Sequence, residues 1–109
     1  MGRGGITLQQ MSFEELSQSI ARDSVPPEMN QALTGLWHAA KGDWTAAHAC
    51  AQADRSRAGS WVHAYLHREE GDLGNAGYWY SRAGRPMPGQ GVALQDEWAE
   101  IARALLADS

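Results

Sequence analysis

The stretch from Trp61 to Arg85, WVHAYLHREEGDLGNAGYWYSRAGR, decides the fold because a Gly-Asp pair interrupts it at positions 71 and 72. Gly71 tolerates the left-handed backbone that ends a helix, and the Asp72 carboxylate can accept hydrogen bonds from the free N–H groups that begin the next helix. Two helices joined by one tight turn lie antiparallel. The stretch therefore predicts a helical hairpin.

The two helices of this hairpin differ in the side chains that they present. At about 100° per residue, the second helix places four side chains on one face, which we expect to pack on the first helix. These four are Leu73, Ala76, Tyr80 and Ala83. The first helix carries a broad apolar arc and a polar flank at i, i+4 and i+7. The polar flank consists of His63, His67 and Glu70.

The Gly-Asp pair also occurs at positions 42 and 43, which gives an internal repeat with an offset of 29 residues (71 − 42). With this offset, His38 aligns with His67 and Trp44 aligns with Leu73, so corresponding residues have the same packing role. The repeat predicts two tandem hairpins, at about residues 27–54 and 57–84.

One helix on each side of the hairpins completes the predicted fold. Ser12 and Glu15 form a capping box that begins a short first helix. The prolines at 26 and 27 end that helix, and Pro27 begins the next one, which runs to about Lys41. Glycines and prolines at 84–91 predict a loop. A final helix comes after this loop and lies across the hairpins as a cap.

The sequence thus predicts an all-α domain of five to six helices, with two antiparallel hairpins and flanking N- and C-terminal helices. The C-terminal helix covers about residues 92–107. We expect residues 1–7 to be a flexible tail, because glycines dominate them, and residues 8–109 to form a single helical domain.

Composition narrows the class of protein. A chain of 109 residues that is 43% hydrophobic can bury a core without metal or disulfide. The net charge of −4 disfavours nucleic acid as a partner. Cys50 is the single cysteine, and no apolar run approaches the length of a membrane span. We therefore expect a cytoplasmic protein that does not enter the membrane.

The second hairpin resembles the tetratricopeptide repeat, in which a turn glycine is followed by aromatic, small and proline residues at fixed intervals. The matching residues are Gly71, Leu73, Ala76, Tyr80, Ala83 and Pro88. The first hairpin departs from the pattern, since Ala51 and Asp54 stand where an aromatic residue and an alanine are expected. The spacing of 29 residues is also shorter than the usual 34. The resemblance covers the central half of the chain and implies a helical protein-binding stack.

A narrower resemblance is to a group of small bacterial and fungal proteins with the signature H-A-x-L-H-R-x-E-G-D-x-x-N-A-x-Y-W-Y. Here it is carried by the run HAYLHREEGDLGNAGYWY at positions 63–80. This resemblance implies a bacterial-type helical protein and brings no activity with it.

The histidines suggest a binding pocket. His63 and His67, at i and i+4, can offer two imidazoles to one metal ion, with Glu70 one turn further on. His48, on the inward seam of the neighbouring helix, is the candidate third ligand. If Asn75 faces the same cleft, the cluster forms a polar pocket for a small ligand or for hydrolytic acid–base chemistry. A hydrogen-bonded structural pair of histidines is the alternative.

A second candidate site is a surface of aromatic residues for another protein. Tyr78, Trp79 and Arg82 gather on the side of their helix away from Leu73, and Trp61 is a further candidate for this surface. We assign no catalytic residue and no cofactor. The sequence favours a non-enzymatic interaction or scaffolding module, and the alternative is a metal- or small-ligand-binding protein. Because only two repeats are present, we also expect self-association, such as a homodimer.

Overall fold

Six α-helices and no strand make up residues 11–108, the part of the chain that this computed structural model describes. The helices are α1 (Phe13–Ala21), α2 (Gln31–Ala40), α3 (Trp44–Ala53), α4 (Arg57–Glu69), α5 (Leu73–Ala83) and α6 (Leu94–Asp108). The predicted all-α class with five to six helices is confirmed. The predicted flexible tail, residues 1–7, lies outside the described residues. None of the six helices combines the length and apolarity needed to cross a membrane.

Both Gly-Asp turns have the predicted local structure. Gly42 and Gly71 have left-handed backbones, with φ of 81° and 87°. Asp43 caps α3 by accepting a hydrogen bond from the Ala46 N–H at 3.1 Å. Asp72 caps α5 in the same way, by accepting a hydrogen bond from the N–H of Asn75, the third residue of α5. The repeated pair therefore ends one helix and begins the next in each hairpin.

The start of the second helix differs from the prediction. The helix was expected to begin at Pro27, but α2 begins at Gln31. The Asn30 side chain accepts a hydrogen bond from the Leu33 N–H at 2.9 Å, and this cap fixes the first turn. Residues 24–26 and 29–30 therefore belong to the irregular connection, together with the turn at 27–28.

The end of α1 also has a local cause other than the prolines. Asp23 takes the left-handed backbone, with φ of 58°, just after the helix ends. Its N–H donates to the Ile20 carbonyl at 3.1 Å, and the Ser24 N–H donates to the Ser19 carbonyl at 3.0 Å. These two bonds close the last turn of α1 before Pro26 is reached.

The helices pack as two hairpins with α4 at the centre. α2 pairs with α3 and α4 pairs with α5, and α4 also packs on both α2 and α3. α6 lies across α2 and α4, as predicted, and α1 contacts α2 and α6. Among the described helices, α3 and α5 do not contact each other at the backbone. A gap therefore separates α3 from α5, and α4 forms its floor.

A continuous hydrophobic core runs through these contacts and includes fully buried residues from every helix. At Gly35 the backbone of α2 passes close to Ala47 of α3 and Val62 of α4, which is why a glycine is needed there. The prediction is wrong for one residue: Leu73 was expected to pack on the first helix of its hairpin, but it is 56% exposed. It is the first residue of α5, and the next helix, α6, packs on α2 and α4 instead of covering it.

Polar contacts anchor α6. The Trp98 Nε1–H donates to the Leu36 carbonyl at 2.8 Å. Glu97 is buried and accepts from the Arg68 guanidinium at 2.9 Å and from the Tyr80 hydroxyl. Arg68 also donates to the Val92 carbonyl at the start of α6. The C-terminal helix is thus joined to both helices of the second hairpin.

Candidate metal centre

The gap between α3 and α5 holds three histidines. His63 and His67 lie one turn apart on α4 and are both buried, while His48 projects from α3 and is half-buried. A short connection at residues 54–56 joins α3 to α4, and the two helices pack on each other, so that His48 meets the two rings of the next hairpin. The structure therefore brings together the three histidines that the sequence predicted.

The three imidazoles are close enough to share a ligand. One ring nitrogen from each histidine lies within 4.8 Å of the others. The ring centroids of His48 and His63 are 4.5 Å apart, and those of His63 and His67 are 4.9 Å apart. The three rings are therefore direct neighbours.

Two tryptophan rings pack against this cluster of histidines. The Trp44 ring stacks on His48 with centroids 4.7 Å apart, and the Trp79 ring stacks on His63 at 3.9 Å. Trp44 also donates from Nε1 to the Leu66 carbonyl of α4 at 3.0 Å, which fixes its ring. The polar cluster is therefore enclosed by apolar surface on two sides.

His63 is buried without a hydrogen-bond partner among residues 11–108, and its exposed fraction is 4%. A buried polar group that lacks a partner costs about 1–3 kcal/mol. Buried groups of this kind in proteins are ordinarily satisfied by protein, water or a bound ion. The His63 imidazole therefore has a ring nitrogen that is available to a bound ion or to water.

His67, in contrast, has a carboxylate partner. Its Nδ1 lies 2.7 Å from Oε1 of Glu70. Because a carboxylate accepts hydrogen bonds, Nδ1 carries the proton and the lone pair remains on Nε2. Glu70 thus orients the ring, and together with His67 and Asp72 it forms a second, more exposed group of possible metal ligands that shares His67 with the first.

Burial favours the neutral form of two of the rings, His48 and His63. It lowers the pKa of His63 to about 4, and the adjacent rings of His48 and His67 contribute to the lowering. Burial also lowers the pKa of His48, as does His67, while Glu70 acts in the opposite direction. Near neutral pH, His48 and His63 therefore keep the free lone pairs that metal binding requires.

Asn75 does not join the histidines. Its side chain is exposed, and its Nδ2–H donates to Oδ2 of Asp72 at 3.3 Å. This position near the N-terminus of α5 explains the difference, because the local cap of Asp72 engages the amide. The predicted polar pocket thus consists of the histidines without Asn75.

The predicted aromatic surface is only partly exposed. Tyr78 is 54% exposed, and Arg82 is exposed and lies near both the Tyr78 and Trp79 rings. Trp61, in contrast, is 5% exposed, with the Arg85 guanidinium over its ring at 3.9 Å, so its assignment to a surface is wrong. Trp79 is half-buried because it stacks on His63.

Sequence reasoning missed the part that Trp79 has in this site. It lies three residues after the buried Ala76, and this spacing puts it at the border of the inward stripe of α5. That spacing is the signal that could have placed Trp79 beside the histidines. Cys50 is outside the group of three histidines and lies beside Gly35 of α2.

Comparisons with protein-family models, with curated proteins and with solved structures give no match to this chain. The geometry of the site therefore carries the functional argument.

Proposed function

We propose that this protein binds one divalent transition-metal ion, of the class of zinc, through His48, His63 and His67. The observation that carries the proposal is the convergence of three ring nitrogens around a buried, unpaired His63. Imidazole nitrogen is a preferred ligand of zinc, copper and nickel ions, and three histidines form a known zinc ligand set.

The distances are compatible with binding after a small adjustment. A tetrahedral zinc ion with Zn–N bonds of about 2.0–2.1 Å holds its nitrogens about 3.3 Å apart. The nitrogens here lie within 4.8 Å of one another, so binding requires them to approach by about 1.5 Å at most. The half-buried His48 is the ring with room to make that movement.

Titration of the metal-free, untagged chain with Zn²⁺ in a calorimeter tests this proposal. We expect one ion per chain and a rise in thermal stability, because a ligand at 100 times its Kd stabilises the folded state by about 2.7 kcal/mol. His48→Ala should abolish binding, and the fold should survive since this side chain is half-buried.

His38→Gln is the matched control. His38 lies on α2 with its ring against Trp37 and is not one of the three clustered histidines. We expect this variant to bind as the natural chain does. Equal binding by the His48→Ala and natural chains, or no binding by the natural chain at micromolar Zn²⁺, would contradict the metal-site proposal.

A second candidate function is self-association at the open end of the hairpin stack. In the first hairpin, Trp44 packs on the next one and donates to the Leu66 carbonyl. Its counterpart in the second hairpin, Leu73, is covered by no other hairpin of the described chain and is 56% exposed. We propose that a second copy of the chain covers this end, as in a tetratricopeptide-like stack.

Sedimentation velocity over a range of concentrations tests this candidate. We expect a dimer at high concentration and a monomer for Leu73→Glu. Val25→Glu is the control, because Val25 is also an exposed apolar residue, at 40%, but lies in the connection between α1 and α2. A monomer at every concentration would refute the homodimer, and an equal effect of both variants would refute this surface.

A further inference from the structure

We propose that the metal ion bound by the three histidines keeps a fourth, exchangeable coordination position that takes a water molecule or a small anion. This inference rests on the proposed metal-binding function and assigns the chemistry of that same site.

The number of protein ligands supports an open position. Within residues 11–108, the cluster that can hold an ion contains His48, His63 and His67 and no fourth cysteine, histidine or carboxylate. Two nearby residues are engaged elsewhere: the Glu70 carboxylate is hydrogen-bonded to Nδ1 of His67, and the Cys50 side chain lies beside α2. Structural zinc sites have four protein ligands, whereas sites that bind water or substrate have three.

The packing of the helices supports access to this position. α3 and α5 do not contact each other at the backbone within the described part of the chain, so these two helices leave the gap above α4 open. His48 lines the gap from α3 and is half-buried, while both α4 histidines are buried. The approach to the ion is therefore from the side of His48.

The walls of the gap limit the class of ligand. The Trp44 and Trp79 rings stack on the faces of His48 and His63, so flat apolar surfaces border the cluster and leave room for a small ligand only. Three neutral imidazoles carry no charge, and the Glu70 carboxylate bonded to His67 offsets only part of the double positive charge of the ion, so the remaining positive charge favours an anion. A ligand of two or three atoms, such as hydroxide or azide, has this combination of size and charge.

The rest of the fold does not depend on a metal. Five helices have a side-chain N-cap, and a hydrophobic core extends through all six helices of the described chain. Proteins that need a structural metal are usually too small to build such a core. We therefore assign the ion a role in ligand binding and not in folding.

Loading the metal-free protein with Co²⁺ and titrating azide tests the inference. Tetrahedral Co²⁺ gives visible absorption bands that change when a ligand in its coordination shell is replaced. We expect a saturable shift of these bands with one azide per ion. The His38→Gln chain should show the same shift.

The outcomes separate the two proposals. Bands that appear on loading but stay unchanged at saturating azide would overturn the open position and leave the three-histidine site intact. Failure of the natural chain to develop cobalt bands would overturn the metal site itself. A shift retained in the His48→Ala chain would overturn both, since the ion would then lie elsewhere.

Discussion

At the scale of single residues, the contact between Glu70 and His67 has the clearest chemical role. A carboxylate that accepts from one nitrogen of a metal-binding histidine fixes the ring and makes the other nitrogen a better ligand. Here that contact is 2.7 Å long and joins residues on one turn of the chain. Glu70 was predicted as a possible ligand, and the structure gives it a positioning geometry instead.

Glu70→Gln should weaken metal binding by about 10- to 100-fold, the usual effect of losing such a partner. Glu69→Gln is the matched control, because Glu69 is a neighbouring exposed carboxylate that, within the described chain, has no hydrogen bond to a histidine. Competition with a chromophoric chelator gives both affinities. Equal loss in the two variants would mean that net charge, not the contact with His67, controls affinity.

His63 gives a prediction about pH. Its pKa is lowered from the usual 6.5 to about 4 by burial and by His48 and His67, so between these pH values the unfolded chain binds more protons than the folded one. The stability that this group contributes is complete above pH 6.5 and is lost as the pH falls toward 4. The loss is on the order of 3 kcal/mol for the metal-free protein.

Urea unfolding of the metal-free natural chain and of His63→Gln, at several pH values from 7.5 to about 4, measures this effect. The difference in unfolding free energy between the two chains should shrink as the pH falls. Carboxylates contribute equally to both chains and cancel. Parallel curves over the whole range would show that His63 is not held neutral by burial.

At the scale of helices, two glycines in the second hairpin have opposite roles. A Cβ at Gly59, near the start of α4, would collide with the Asp54 backbone carbonyl, whereas a Cβ at Gly77 in the middle of α5 would meet the Met87 methyl group at an ordinary 3.9 Å. The same substitution should therefore change stability in opposite directions.

Gly59→Ala should lower the unfolding free energy by about 1–3 kcal/mol, because the connection from α3 must move. Gly77→Ala should raise it by about 0.5–1 kcal/mol through helix propensity. Thermal and urea unfolding followed by circular dichroism measure both. Destabilisation by Gly77→Ala as large as that by Gly59→Ala would contradict this account of the packing.

The helices show which parts of the fold a sequence can specify. Caps and turns depend on neighbours within a few residues, so Ser12, Asp43 and Asp72 could be recognised directly. The start of α2 was predicted too early in the chain. A proline pair permits a helix to begin, but the Asn30 cap fixes the actual start at Gln31. The exposure of Leu73 depends on which helices pack beside the second hairpin, and the local sequence pattern does not contain that information.

At the scale of the whole molecule, a buried charge network holds the C-terminal helix in place. Glu97 and Arg68 have side chains that are 2% and 12% exposed, and the Tyr80 hydroxyl donates to the same carboxylate. Burial raises the pKa of Glu97, while the bonds from Tyr80 and Arg68 act against this rise. Three helices therefore meet at one carboxylate.

Glu97→Ala should reduce the unfolding free energy by about 3–5 kcal/mol, because Arg68 then keeps its mostly buried charge without a carboxylate partner. Glu100→Ala, at an exposed position on the same helix, should change it by no more than about 0.5 kcal/mol. Urea unfolding of both variants measures this. A loss below about 1 kcal/mol for Glu97→Ala would show that α6 is held by its apolar contacts alone.

The arrangement of the site was predictable in part. The i, i+4 spacing of His63 and His67 and the position of His48 on the inward seam of the neighbouring helix marked these three residues as candidates, but the sequence did not determine whether their rings meet. The Trp79 stack and the Glu97 network were not predicted, because both join residues from separate helices. Glu97 nonetheless carried a signal, since it lies between Leu94 and Ile101 on the apolar stripe of α6, where a carboxylate needs a buried partner.

The stacking of Trp44 and Trp79 on the histidines gives the molecule an optical reporter of its own. Open-shell ions such as Cu²⁺ and Co²⁺ quench the light emitted by a nearby indole, whereas Zn²⁺, with a filled d shell, does not. Trp37 and Trp98 pack against α1, outside this cluster, and supply a steady background. Intrinsic emission can therefore report occupancy of the three-histidine cluster without any added dye.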